Sequence, residues 1–231
     1  MPPPAPAMKL AEFDVHALQR DLQVARSIPS ARQAGPYHNG GWKGVSLRSS
    51  SGDAATALAG APPFVPYRDT PLLARTPYFR QLLRCLALPM KGVRLLSLDP
   101  GGKIEAHRNP DLSLGSPMAR LHVVVDTNPH VFVVFDGQRQ HWRAGELWYG
   151  DFARPHWVVN AGDTTRVHMV LDVYVTRRLL SMFPSSYLRT LRKSGRRPGG
   201  SLMRRLLLSA NFGNHTYPAT EHGSAPPETR P

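Results

Sequence analysis

Arg120-Leu121-His122-Val123-Val124-Val125 and, a few residues on, Val131-Phe132-Val133-Val134-Phe135-Asp136-Gly137-Gln138-Arg139-Gln140-His141-Trp142 decide the reading of the fold. Both stretches are β-branched or aromatic, the residue types that suit a pleated, half-buried surface. Asp136-Gly137 sits between two such runs and predicts a tight hairpin, because a two-residue turn of that type needs two positive φ angles. The same texture continues in both directions, in Val93–Leu98, Glu146–Tyr149, His156–Asn160 and Arg166–Val175. Ala144-Gly145 and Ala161-Gly162-Asp163 punctuate the later runs. Seven short strands at this spacing predict a mainly β sandwich or jelly roll.

The flanks read differently. Phe13, Leu18, Leu22 and Ala25 are spaced for an amphipathic helix from Phe13 to Arg26, with Asp14 at its first turn and Pro29 beyond its end. Gly40 to Arg48 reads as a turn followed by a strand, and Ser49 to Pro66 as a surface loop. Leu72, Leu73, Phe79, Leu82, Leu83 and Leu86 place helical turns on a core face. Leu179 to Leu208 is helical in pattern but broken around Gly195-Pro198-Gly199-Gly200. The expected organisation is a disordered N-terminus over 1–12, a single domain over 13–210 with its β core at about 92–176, and a Pro-rich tail over 211–231.

Composition narrows the function classes. Cys85 is the lone cysteine, so neither an internal disulfide nor a cysteine-based metal site is expected, which suits a reducing cytoplasm. Met1 to Ala7 lacks the apolar run of a signal peptide, and no stretch approaches the length of a membrane span. The net charge is +13, and Arg177 to Arg205 holds nine Lys or Arg with no Asp or Glu. That run has no interleaved aromatics for base stacking, so it reads as a solvated basic face rather than a nucleic-acid site.

Chemistry concentrates on alternate strand positions. Residues two apart on a strand share a face, so Arg120 lies with His122 and Arg166 with His168, opposite Leu121, Val123, Val167 and Met169. An outer surface would show Lys, Glu and Thr there. Arg and His alternating with Val suggest an interior that holds an anion and a metal. His107 and His156 lie in separate segments and offer two imidazoles. A two-histidine, one-carboxylate set leaves coordination positions open for reactants. The place two residues after His107, where the carboxylate is expected, is Asn109. Glu146 and Asp151 are alternative carboxylates, with Asp151 also able to orient a ligand; Asp111 reaches the site only through an irregular loop.

From Tyr37 to Val175, about 140 of 231 residues, the chain resembles the aspartyl/asparaginyl β-hydroxylase family, closest to its bacterial proline-hydroxylase-like branch. The resemblance runs in order through Gly40-Gly41-Trp42-Lys43-Gly44-Val45-Ser46-Leu47-Arg48, Asp69-Thr70-Pro71, Val93 to Leu98 and Pro100 to Asn109. It continues through Arg120-Leu121-His122-Val123, Thr127-Asn128-Pro129, Gly145 to Tyr149, His156 to Asn160 and Arg166 to Asp172. It implies a double-stranded β-helix with flanking N- and C-terminal helices and an Fe(II)/2-oxoglutarate-dependent oxygenase that uses O2. His107 and His156 match the iron-binding histidines. Arg166 matches the arginine that pairs with the distal carboxylate of 2-oxoglutarate, a task suited to guanidinium. Arg120 and His122 match residues near the cosubstrate. Asn109 departs from the aspartate of many bacterial members. The implied reaction is hydroxylation of an unactivated C–H bond in an amino acid, a derivative or a short peptide. The alternatives are the same fold diverted to halogenation or ring formation, or a binding module that has lost iron. Trp42, Arg48 and Trp157 are the candidates for a substrate pocket.

Overall fold

A computed structural model of the chain describes residues 4–33, 36–56 and 65–195. In chain order the elements are β1 (Ala7–Glu12), α1 (Val15–Ala25), β2 (Ala31–Arg32), β3 (Trp42–Ser49), β4 (Arg68–Asp69), α2 (Pro71–Arg75) and α3 (Pro77–Leu86). Then come β5 (Met90–Leu98), β6 (Lys103–His107), β7 (Met118–Asp126), β8 (Val131–Phe135), β9 (Gln138–Gln140), β10 (Glu146–Gly150), β11 (His156–Asn160) and β12 (Arg166–Tyr174). Two helices, α4 (Arg177–Leu180) and α5 (Ser185–Lys193), follow. The strands form two antiparallel sheets. The major one runs β1-β10-β7-β12-β5-β3-β2, with β4 on β3; the minor one runs β6-β11-β8-β9. The fold is mainly β, a jelly roll of the double-stranded β-helix type.

Strand periodicity divides the major sheet into two unlike faces. On the outer one, Leu121, Val123, Met169, Leu171, Leu95 and Leu47 pack against Leu18 and Leu22 of α1, Phe79 and Leu83 of α3, and Leu179 and Leu191 of the C-terminal helices. Burial of that apolar area is the main driving force of the fold. The inner face meets the minor sheet through a smaller cluster that includes Leu98, Val124, Ile104, Val133, Phe135, Trp142, Phe152 and Val158. Polar side chains of β5, β7 and β12 share this inner face and are buried with it.

Several local expectations hold. Asp14 caps α1, its Oδ1 accepting the Ala17 N–H at 3.0 Å. Asp136 and Gly137 turn the β8–β9 hairpin with φ of 49° and 79°, the two positive values that such a turn demands. Gly44 is required where β3 crosses β5, because a Cβ there would collide with the Leu95 carbonyl and with Leu96. The apolar residues from Leu72 to Leu86 form two helices, separated at Thr76.

The N-terminus does not follow its expectation. Residues 7–12 form β1 and pair with the free edge of β10, from Ala7 opposite Gly150 to Glu12 opposite Glu146. Proline and alanine hid the strand, since neither has β propensity; what stabilises it is the edge it covers. The β core is also larger than residues 92–176, because β1 and β3 belong to the major sheet. The second half of the helical stretch 179–208 and the tail 211–231 lie outside the described residues.

Deleting residues 1–12 therefore exposes the β10 edge. The lost ladder and apolar contacts are worth about 2 kcal/mol or more, a fall of roughly 4–8 °C in Tm for a domain of this size. A melting curve unchanged by the deletion would show that β1 contributes nothing.

Candidate active site

His107 ends β6 and His156 begins β11, and the ladder sets them directly opposite one another. Their ring centroids are 4.3 Å apart, tilted by 56°. Each ring is fixed in the same way. The Nδ1–H of His107 donates to the Glu105 carbonyl at 2.8 Å, and that of His156 to the Arg154 carbonyl at 2.9 Å. A carbonyl only accepts, so both Nδ1 atoms bear the hydrogen; in a neutral ring that leaves on Nε2 the lone pair a metal-ligating imidazole needs. Tyr37 stacks on His107, and Phe152 and Phe135 wall His156. Gly150 leaves room for those two phenyl rings, since a Cβ there would lie 2.7 Å from each.

Asn109 is not an extension of the His107 strand, because β6 ends at His107. Its N–H donates to the Phe152 carbonyl at 2.8 Å, and its own carbonyl accepts the Leu112 N–H at 3.0 Å. Its Oδ1 is buried with no hydrogen-bond partner among the described residues. None of the other carboxylates takes its place. Glu146 accepts from the Arg143 N–H and the Trp148 indole, both at 2.8 Å. Asp151 pairs with the Arg154 Nε at 3.0 Å, in the turn whose carbonyl holds His156. Asp111 is exposed. Among the described residues no three His, Cys, Asp or Glu side chains form a metal-sized cluster.

Arg166 is 2% exposed. One guanidinium nitrogen reaches the Leu96 carbonyl at 3.4 Å; the Nε has no partner among the described residues. Burial pushes its pKa down to about 10, and no ion pair is formed by it among the described residues. A buried cation in that state calls for an anion, because desolvation without a counter-charge is costly. Arg120 does have one. Its Nε and a terminal nitrogen grip the two oxygens of Asp172 at 2.7 and 3.0 Å, and Arg94 adds a third bond at 2.8 Å. Burial alone would raise the Asp172 pKa, but Arg120 and Arg94 overcome it and hold the carboxyl at about 2. Between Arg166 and this triad lie His122 and His168, their Nδ1 atoms 3.1 Å apart.

The substrate-pocket candidates separate. Trp42 joins the inner apolar cluster. Arg48 does not line the interior as a free cation: it bonds to Asp69 at 2.6 Å and to the Tyr67 and Met90 carbonyls. Trp157 alternates with His156 on β11 and so faces away from it, a consequence of the two-residue strand repeat. Asp172, Arg94, Phe152 and Trp142 were given no site role from sequence. The alternation Arg166, His168, Asp172 was a usable signal for the first of these; nothing local marks Phe152 and Trp142.

Burial holds the His156 pKa down to about 4, against the pull of the Arg154 carbonyl and helped by His107 and Arg120. His122 and His168 are also pushed well below 6.5, chiefly by burial. Between the folded and unfolded values the unfolded chain binds protons that the folded chain does not. Stability of the metal-free protein is therefore level above pH 6.5 and declines as pH falls from 6.5 to 4. Thermal melts across that window check this; a flat Tm would mean that the imidazoles are not held neutral by the fold.

The chain is 26% identical over 184 residues to an L-proline cis-4-hydroxylase of Rhizobium meliloti, covering 78% of this chain and 62% of that one. It is 26% identical over 170 residues to an L-proline cis-3-hydroxylase of a Streptomyces species, covering 70% and 57%. It thus spans about 60% of the length of the curated relatives it matches. Among solved structures, a 2OG-Fe(II) oxygenase family oxidoreductase from Burkholderia pseudomallei superposes with a TM-score of 0.49 at 14% identity, over 73% of this chain and 84% of that one. A family model described as Aspartyl/Asparaginyl beta-hydroxylase matches residues 12–176, and the chain belongs to that family.

Proposed function

We propose that this chain is a cytoplasmic Fe(II)/2-oxoglutarate-dependent oxygenase that hydroxylates an unactivated C–H bond of a free amino acid or a close derivative. One observation supports it above the rest: two imidazoles with anchored Nδ1–H groups share an interior with Arg166, a buried cation that forms no ion pair among the described residues. The donor set fits the group. His107 and His156 would hold the iron through Nε2. The unpartnered Oδ1 of Asn109 is a neutral oxygen available to a metal-bound water or to the metal. When bound, iron with 2-oxoglutarate and O2 supplies the oxidising chemistry, and the cosubstrate leaves as succinate and carbon dioxide.

The remaining work falls to this chain's side chains. Arg166 takes the distal carboxylate of the cosubstrate, satisfying its Nε and fixing one end of the molecule. The Arg154 and Glu105 carbonyls keep the two imidazoles in one tautomer and one orientation. Phe135, Phe152 and Trp142 exclude water beside them, which strengthens every charge interaction within. Arg94, Arg120 and Arg166 outnumber Asp172 on the inner face, so the interior favours anionic small molecules over cations. The curated relatives named as proline hydroxylases point to a small amino acid as substrate. Among the described residues no helix is long and apolar enough to cross a membrane, and the basic C-terminal face is read as solvated surface rather than a nucleic-acid site.

Anaerobic titration with Fe(II) and 2-oxoglutarate should develop the visible charge-transfer band of the chelated complex, and succinate release should follow on one member of an amino-acid panel. Loss of both with purified, folded protein would leave a non-catalytic binding module. His107→Ala and His156→Ala should each abolish Fe(II) binding while the far-UV circular dichroism stays unchanged; retained binding removes that residue from the centre.

Arg166→Ala should weaken 2-oxoglutarate by ~30-fold or more, since losing a buried charge-assisted pair costs roughly 2–5 kcal/mol. Unaltered affinity would place the cosubstrate elsewhere. Asn109→Asp should tighten Fe(II), an anionic oxygen replacing a neutral one; an unchanged dissociation constant would show that residue 109 does not reach the metal.

A further inference from the structure

Arg154 lies two residues before His156, and its side chain ties three separate segments together. Its Nε donates to Asp151 at 3.0 Å, one terminal nitrogen to the Asp136 carboxylate at 2.9 Å, and the other to the Pro4 carbonyl at 2.9 Å. Those acceptors come from the turn itself, from the β8–β9 hairpin and from the segment ahead of β1. The Arg154 side chain is 13% exposed and that of Asp151 4%. Shielded, charge-assisted bonds of this kind hold geometry better than a surface pair does. The backbone is fastened as well. The Arg154 N–H donates to the Asp151 carbonyl at 3.0 Å, the Asp151 N–H to the Pro6 carbonyl at 2.7 Å, and the Asp136 N–H to the Pro155 carbonyl at 3.0 Å.

What this clamp holds is the carbonyl that orients His156, since the Arg154 carbonyl accepts the Nδ1–H of that ring at 2.9 Å. Pro155 stands between the two residues. Its ring fixes its own φ and restricts the residue before it. A segment that stiff passes a displacement at Arg154 on to the imidazole instead of absorbing it. The ladder supports His156 unequally. Against β6 the register slips between His156 and Val158. Against β8 it is regular from Asn160 to His156, which faces Phe135. Asp136 follows Phe135, so the Arg154–Asp136 pair carries the β8–β11 pairing one step past its last rung. By contrast, the carbonyl that holds His107 belongs to Glu105, an exposed residue on β6, the end strand of the minor sheet.

We propose that the Arg154 guanidinium is a positioning group for the metal centre: by fastening the N-terminal segment and the β8–β9 turn to the Arg154-Pro155 peptide, it fixes the tautomer and direction of the His156 ring. The proposal rests on the oxygenase reading for the metal, and on the hydrogen bonds alone for the ring. Partners that orient a metal ligand are commonly worth roughly 10–100-fold in metal affinity. Here the orienting carbonyl is itself held by a side chain, so Pro4 and Asp136, which lie far from His156 in the sequence, become determinants of how tightly the metal is bound.

Zn(II) alone is the probe, titrated into the metal-free protein with His156→Ala setting the background. Arg154→Met keeps an unbranched stem and removes the donors. It should weaken Zn(II) about tenfold or more. In the metal-free variant, long-range 15N–1H correlation spectra should show the His156 nitrogens moving from the Nδ1–H form toward the averaged values of mixed tautomers. Asp136→Gly suits the positive φ of that position. It should cost part of the same affinity, and adding it to Arg154→Met should cost nothing further, because the two act as one unit. Arg48→Met is the control. That arginine also bonds to one carboxylate and two carbonyls, those of Asp69, Tyr67 and Met90, so its loss should lower Tm and leave Zn(II) affinity unchanged. Equal weakening by Arg48→Met, or additive losses at Asp136 and Arg154, would reduce Arg154 to a general stabiliser. Unchanged Zn(II) affinity or unchanged His156 spectra in folded Arg154→Met would overturn the proposal and leave the oxygenase reading intact. A wild-type protein that takes up no Zn(II) beyond the His156→Ala background would remove the metal centre, and the role of Arg154 with it.

Discussion

The bidentate pair between Arg120 and Asp172 is the interaction on which the interior depends. Three arginines, Arg94, Arg120 and Arg166, lie on the inner face of one sheet, and a single carboxylate stands among them. An isolated guanidinium could not be buried there without a penalty of several kcal/mol. Asp172 offsets two of the three by accepting three N–H groups, and is held ionised in return. Arg166 is left over. Among the described residues the fold thus keeps one cation without an ion pair on the inner face of the major sheet, and that imbalance is what a dianionic cosubstrate would relieve. The buried charges of the inner face are arranged around this pair, and the apolar residues of the opposite face pack the sheet that carries them.

Much of this was legible in the sequence because the strand repeat is short and strict. The alternation of Arg120 and His122 against Leu121 and Val123 is enough to assign faces, and the Asp136-Gly137 turn fixes its hairpin. β8 and β11 have the bounds their residues predict, and β12 differs by one residue. His107 and His156 could be paired by type, although only the β6–β11 ladder brings them face to face. Other features depend on partners far away in the chain. β1 is a strand because β10 has a free edge, and its own alanines and flanking prolines argue against it. Arg48 looked like a ligand-binding cation, but Asp69 and two carbonyls on neighbouring segments occupy it. Trp157 was placed by its neighbour His156, when the repeat of two sends it to the other face. The locking of Arg120 by Asp172 is a register fact, Asp172 opposite Arg120 on adjacent strands, and no local pattern reveals it.

In the proposed centre Asn109 would change the electrostatics rather than the architecture. Its backbone is tied to Phe152 and Leu112, so the loop after β6 keeps its course whatever the side chain. Two imidazoles and an amide would bring no negative charge to a dication in the proposed centre, and the negative charge would have to come from what binds. Cosubstrate and metal would then depend on each other more strongly than in a site with its own carboxylate, since each would supply the charge the other lacks.

The N-terminal strap has a temporal meaning as well. The carbonyls of Pro4, Ala5 and Pro6 accept from Arg154, Tyr187 and the Asp151 N–H, and Ala7 pairs with Gly150. β1 is therefore made well before the strand it pairs with. At the usual 5–20 residues per second, β1 waits roughly 7–30 s for β10 to emerge from the ribosome. The turn that carries the Arg154 carbonyl toward His156 gains its bond to Pro4 when the strap closes, in addition to those from Asp151 and Asp136. In a growing chain that last brace on the turn before His156 waits until β1 finds β10.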